Sequence, residues 1–229
     1  KKGGAIVIPA FSIERTQVLL YEINNMVEDK EIPSIPVFID SPLASKVTAI
    51  YAEHADKFNE GVREEIKRGD NIFNFPKLSI VHSHFESEKL EHLPDPKIIL
   101  AGAGMSSGGR VVNHEIHYLP DPKATIVLPG YQGIGTLGRL IEEGNKVIDI
   151  HGTKVKVRAT IEKISGYSSH KDSDNLVDFV EHAGESGKLK KVFVIMGEPK
   201  SSLFLVQKIR DNLGLDAIYP EEFKEYELN

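Results

Sequence analysis

His170 is the side chain in this sequence whose setting best suits acid–base work. It lies in Ile164-Ser165-Gly166-Tyr167-Ser168-Ser169-His170-Lys171-Asp172, a stretch that leaves a β-branched run and arrives at the mouth of a helix. Asp172 is placed to cap that helix and so to fix the backbone around His170, and Ser168 and Ser169 add hydroxyl donors beside it. Histidine changes charge nearest to neutral pH, so it can bind a phosphate oxygen as imidazolium or protonate a leaving oxygen. The spacing fits a solvated loop histidine equally well.

Two glycine-rich turns stand upstream, each after a strand-like run. The first is Gly102-Ala103-Gly104-Met105-Ser106-Ser107-Gly108-Gly109-Arg110, which leads into a helix. Glycines let backbone approach a phosphate closely, and unpaired N–H groups at a helix start favour an anion; a tight turn between packed elements has the same composition. The second runs from Gly130-Tyr131-Gln132 to Gly138-Arg139 and contains G-x-G-x-x-G at Gly133, Gly135 and Gly138, with Asp149 on a following strand. That is the form of a dinucleotide fingerprint. Only Arg139–Asn145 separate it from the next strand-like run, too short for a crossover helix, so the dinucleotide-binding module is a remote alternative.

Two other histidine groupings have metal-site character. His82-Ser83-His84 is an H-x-H with no Asp-His after it, and reads as a solvated pair at a strand end. His114-Glu115-Ile116-His117 is one residue short of the H-E-x-x-H zinc helix and has no evident third ligand, which favours a structural role.

The elements that would position these residues alternate strand-like and helix-like runs, the pattern of an α/β sheet with helical crossovers. A strand over residues 5–9 precedes a helix that Ser12 can cap, with Val18, Leu19, Ile23, Met26 and Val27 on one face. Pro36–Asp40 is the next strand, and Ser41-Pro42 starts another helix. Leu78–Val81, Ile98–Ala101 and Thr125–Leu128 are further strands. Val147–Ile164 reads as short alternating strands turning at His151-Gly152. A helix over 173–183 ends at Gly184, a strand follows at 191–195, and a helix over 199–213 runs from Pro199 to a stop at Gly214.

The 229 residues suffice for one large or two smaller domains. No apolar run has the length of a membrane span and no signal peptide opens the sequence, so no membrane partner is expected. The absence of cysteine excludes disulfides and thiolate metal sites within these residues and fits a cytoplasmic location. The net charge of −6 lacks the basic footprint of a general nucleic-acid binder. Charge is uneven, however: residues 101–158 hold seven Lys/Arg against five Asp/Glu, and residues 165–229 eight against twelve. The sequence begins abruptly, Lys1-Lys2-Gly3-Gly4 running straight into a strand with no initiator Met, as a fragment of a longer protein would.

Taken in order, these blocks resemble the β-CASP branch of the metallo-β-lactamase-fold nucleases, specifically its RNA-processing members. The resemblance rests on Gly3-Gly4 with Ile8-Pro9-Ala10-Phe11, on Asp40-Ser41-Pro42-Leu43-Ala44, and on Phe85-Glu86-Ser87. It continues through Gly104-Met105 to Gly108-Gly109-Arg110, Gly130-Tyr131-Gln132 with Gly135-Thr136-Leu137-Gly138-Arg139, Ser165-Gly166 to His170-Lys171-Asp172, and Gly197-Glu198-Pro199. It implies an α/β fold: a Rossmann-like β-CASP domain with a mostly parallel sheet over residues 1–160, then the returning C-terminal metallo-β-lactamase segment over 161–229. It makes His170 the motif B histidine that contacts the scissile phosphate. It assigns RNA and phosphate contacts to Ser168, Ser169, Gly104, Ser106, Gly108, Arg110, Gln132 and Thr136.

The implied partners are RNA, the absent N-terminal metallo-β-lactamase half and, as one arrangement, a second copy in a homodimer. The implied cofactor is zinc in the parent protein, with none expected on these residues alone, because the H-x-H-x-D-H ligands and the acidic partner of His170 are not among them. Asp40 belongs to the separate D-S-P-L-A block and is not that acid. Where RNA-processing members place a zinc-binding histidine before G-E-P, this sequence has Met196. A thioether is a poor zinc ligand, so the resemblance implies two zinc ions, one ion, or a parent that has become a non-catalytic RNA-binding scaffold.

Overall fold

The computed structural model describes residues 3–227; Lys1, Lys2, Leu228 and Asn229, and with them the basic start noted above, lie outside the described residues. The chain forms two compact units that divide after Tyr167.

In the first unit the elements run β1 (Ile6–Pro9), α1 (Arg15–Glu28), β2 (Val37–Asp40), α2 (Pro42–Glu53), α3 (Glu60–Lys67), β3 (Leu78–Ile80), α4 (His84–Lys89), β4 (Ile98–Ala101), α5 (Arg110–Tyr118), β5 (Thr125–Leu128), α6 (Leu137–Glu142), β6 (Val147–Ile150), β7 (Thr153–Lys156) and β8 (Thr160–Lys163). Six strands form one sheet in the order β3-β2-β4-β1-β5-β8. Every pairing in it is parallel, as in Ile6 opposite Ile98 and Val37 opposite Ile98. This is the parallel α/β architecture that the alternation of elements implies. The central strands are almost continuously apolar because helices cover both faces of the sheet.

The two faces are distinct cores. Leu19, Leu20 and Ile23 of α1 and Ala44 of α2 pack with Ile8, Val37, Ile39 and Leu100 on one face. Val111, Val112 and Tyr118 of α5, with Leu90 and Ile141, pack with Val7, Ile99, Ile126 and Leu128 on the other. The split follows from strand order. Connections from β1 and β2 run toward one edge of the sheet and those from β3, β4 and β5 toward the other, and right-handed crossovers then put their helices on opposite sides.

Local signals fix several boundaries. Ser41 accepts the Ala44 N–H at 3.2 Å with Pro42 in the first helical turn of α2. His82-Ser83-His84 belongs to a capping box: Ser83 Oγ accepts the Glu86 N–H at 3.1 Å, and the Glu86 carboxylate accepts the His82 N–H at 2.9 Å. Ser12 does not cap α1, as its position suggested. That helix starts at Arg15 without a side-chain cap, and Ser12 Oγ instead meets Ser41 Oγ at 3.1 Å across the sheet edge. The expected boundary at 160/161 falls inside β8, which pairs with β5, while β6 and β7 form a separate antiparallel hairpin.

The second unit holds α7 (Ser173–Gly184), β9 (Lys191–Phe193), α8 (Pro199–Leu213) and β10 (Asp216–Ile218), with β9 and β10 parallel. Val177, Val180, Val206 and Ile209 are its apolar centre. Pro199 opens α8, and Gly214 closes it in the left-handed conformation. Among the described residues no helix is long and apolar enough to cross a membrane.

Candidate functional site

In an open parallel sheet, ligands collect beyond the C-terminal ends of the strands, where neighbouring connections leave in opposite directions. Here β1 and β4 are such neighbours. The loop after β1, Asp40 at the end of β2 with Ser41 after it, the first glycine turn after β4 and the second after β5 all lie at that edge.

The two glycine turns are built as one piece. Gln132 is buried, and its Nε2 donates to the carbonyls of Gly104 and Gly130, each at 3.2 Å. The Gly138 N–H donates to the Met105 carbonyl at 3.1 Å. Both contacts require glycine. A Cβ on Gly138 would lie 1.8 Å from Gln132 Oε1, and one on Gly104 would lie 2.8 Å from the Phe11 ring. Thr136 caps α6 through the Arg139 N–H at 3.2 Å. Ser106 and Thr136, separate in sequence, line one cavity of about 330 Å³ with Ser107, Asp149 and His151. Of the dinucleotide pattern, α6 has six residues and β6 lies outside the parallel sheet, while the Asp149 carboxylate accepts the Gly152 N–H at 2.8 Å within the hairpin.

Behind the turns lies a network that the sequence reading did not assemble. Asp40 is fully buried at the end of β2. Its Oδ1 accepts Arg110 Nη1 at 2.7 Å, and its Oδ2 accepts Ser87 Oγ at 2.5 Å and His114 Nε2 at 2.6 Å. Burial alone would raise this carboxyl. The hydrogen bonds from His114, Ser87 and Arg110 together outweigh it and hold the group below the ordinary aspartate value. An ionised carboxylate only accepts, so His114 presents its Nε2–H to it. Arg110 also reaches the carbonyls of Val81 and His82 at 3.3 and 3.4 Å. Spacing holds a signal for this network, since Arg110 and His114 are four apart and share a helix face. His117 points elsewhere, to Glu91 at 3.3 Å, so the two histidines of His114–His117 do not converge.

The neighbouring Glu115 is equally buried but, among the described residues, has a single side-chain donor, the Ser106 hydroxyl. Its other oxygen has no partner among the described residues. Burial pushes its carboxyl up to about 8, and the Ser106 hydrogen bond only partly opposes this. Ser106 therefore faces inward in the first turn rather than outward.

In the second unit His170 and Ser168 are exposed, and the His170 N–H donates to Ser168 Oγ at 3.2 Å. Asp172 caps α7 as expected, accepting the Asn175 N–H at 2.9 Å, and that bond lowers its carboxyl. Ser169 and Gly108 lie in the loops where the sequence put them. Met196 is 98% exposed with φ of 63°. Among the described residues no group of three or more His, Asp or Glu side chains could hold a metal ion, so these residues by themselves do not fit a zinc centre.

Residues 16–141 match the Beta-Casp domain family, and residues 154–220 match the Zn-dependent metallo-hydrolase RNA specificity domain. Among curated proteins, a ribonuclease of Thermus thermophilus is 34% identical over 204 residues, covering 89% of this chain and 46% of the relative. A transcription termination factor FttA of Methanosarcina mazei is 31% identical over 223 residues, covering 95% and 34%. An RNase J-like protein of Methanocaldococcus jannaschii is 31% identical over 220 residues, covering 96% and 49%. The chain thus spans half or less of the length of these relatives.

Proposed function

The chain belongs to the β-CASP family, and from that premise we propose that it is the RNA-handling part of a hydrolase that cuts phosphodiester bonds in RNA. The observation that carries this reading is the match to a β-CASP domain followed, in order, by a metallo-hydrolase RNA specificity domain, together with similarity to relatives named a ribonuclease and an RNase J-like protein.

In this reading His170 meets the scissile phosphate. As imidazolium it neutralises charge on a non-bridging oxygen; when the oxygen of water bonds to phosphorus and the P–O bond to the leaving nucleoside breaks, it gives its proton to the departing oxygen, and the proton released by the water passes to solvent, from which the imidazole is reprotonated. Its solvent exposure and its place beside the α7 cap support access to a large substrate. Ser168 and Ser169 contribute further phosphate contacts. The glycine turns carrying Gly104, Ser106, Gly108, Arg110, Gln132 and Thr136 line the RNA path. Zinc belongs to the longer protein in this proposal; the described residues do not assemble a centre for it, and no step here runs through it. RNA cleavage by these 229 residues alone is therefore not expected.

The test is His170→Ala in an active, longer form of the protein. Turnover falls by about 10²–10⁴ if His170 is the proton donor, and an unchanged rate removes it from the mechanism. Met196 favours a second reading, a non-catalytic RNA-binding subunit, because a fully exposed thioether stands where the family resemblance places a zinc-binding histidine. RNA binding without hydrolysis by the longer, zinc-supplied protein would select that reading.

A further inference from the structure

Two aromatic residues stand half-exposed at the C-terminal edge of neighbouring strands in the first unit. Phe11 lies two residues past β1 and is 49% exposed; Tyr131 lies three residues past β5 and is 52% exposed. β1 and β5 pair in parallel, Ile6 opposite Thr125 and Val7 opposite Ile126, so the two loops leave the same edge from positions about 4.8 Å apart.

Each ring is backed by a glycine of the turns. The position a Cβ would take on Gly104 is 2.8 Å from Phe11 Cδ2, and that on Gly133 is 3.9 Å from Tyr131 Cε1. Gln132, next to Tyr131, donates to the Gly104 carbonyl at 3.2 Å. One hydrogen bond, from Gln132 to Gly104, therefore joins the supports of the two rings. Exposed large apolar side chains are normal singly. Two half-exposed aromatic rings, each backed by glycine backbone and beside the part of the chain with a positive charge balance, form a surface suited to unpaired bases. Every base has a π-face, so such a surface needs no sequence readout.

We propose that Phe11 and Tyr131 form a stacking platform for adjacent unpaired bases of RNA. The inference rests on the RNA reading above and adds the side chains that grip the strand. It also assigns Gln132 a positioning role, since that amide joins the two supports.

Binding of labelled single-stranded RNA of about ten nucleotides, measured by fluorescence anisotropy, tests it, with a matched abasic strand of equal charge as the second ligand. Phe11→Leu and Tyr131→Leu keep apolar bulk and lose the flat ring, whereas Tyr131→Phe keeps the ring. Each Leu variant is expected to weaken RNA binding about tenfold, more for oligoadenosine than for oligouridine. Tyr131→Phe should bind like the parent, and the abasic strand should bind weakly and equally to all forms.

RNA bound with the same affinity by parent and Leu variants, or a Leu penalty that the abasic strand shares, overturns the platform and leaves the RNA reading standing. Absence of RNA binding by every form overturns both. A fall in melting temperature or a change in oligomeric mass, with RNA affinity unchanged, assigns the rings to a protein-packing surface instead and likewise overturns the platform.

Discussion

Asp40 and Glu115 are both carboxylates without solvent exposure, and both meet the same helix, yet they sit in opposite charge states. Asp40 is met by three side chains, from His114, Ser87 and Arg110, and is held ionised below the ordinary aspartate value. Glu115, one residue along from His114, is met among the described side chains by the Ser106 hydroxyl alone and is pushed up to about 8, so that it is mostly neutral at physiological pH. Burial is common to the two, so the number and charge of donors decides between them. Their consequences also diverge: the ionised group ties β2 to α4 and α5, and the neutral one ties the first glycine turn to α5.

The largest expected effect comes from breaking the ionised node. Asp40→Asn removes the charge that faces Arg110 and His114 and should cost about 3–5 kcal/mol. That corresponds to a fall of about 10 °C in melting temperature for a unit of this size. A loss near zero, measured by urea unfolding, would mean that Arg110 and His114 find solvent when freed and that the network is not a structural tie.

The neutral node predicts a dependence on pH of opposite sign. A carboxyl with a raised folded value contributes stability that is fully present below its ordinary value of 4.5 and is lost as pH rises through about 8. The lowered Asp40 group behaves inversely: its contribution is present above the ordinary value of 3.8 and is lost as pH falls through its lower folded value. Glu115→Gln should therefore change stability at pH 5 by no more than about 1 kcal/mol and raise it by about 5 kcal/mol at pH 9. Parallel unfolding curves for the two proteins from pH 5 to 9 would refute a neutral Glu115.

What was legible in the sequence was local chemistry. Ser41-Pro42 at the start of α2, Asp172 at the start of α7, and Pro199 and Gly214 at the two ends of α8 act within a turn of their own position, and the structure uses them as their residue types suggest. The rest depends on partners distant in sequence. Asp40 finds Arg110 and His114 at separations of 70 and 74 residues. Ser12 prefers Ser41, 29 residues on, to its own helix. Thr160–Lys163, which looked like part of a meander with β6 and β7, pairs with β5 because the sheet edge offers a parallel partner. The turn candidates Ser106 and Gln132 were recognisable as turn residues, but their inward orientation depends on Glu115 and Gly138, whose proximity only the fold creates.

The smallest effect is the sharpest probe of the comparison. Ser106→Ala removes the single side-chain donor seen on Glu115. With the carboxyl neutral, as expected at pH 6, this deletes a bond between uncharged groups and should cost about 1 kcal/mol. At pH 9 the same change takes the donor from a buried anion, so the cost should rise to about 2 kcal/mol. It should also extend the alkaline loss of stability to higher pH, because without the Ser106 hydrogen bond the carboxyl rises further. A cost that stays constant between pH 6 and 9 would mean that Glu115 does not change charge in that window, and the contrast with Asp40 would reduce to a difference in packing.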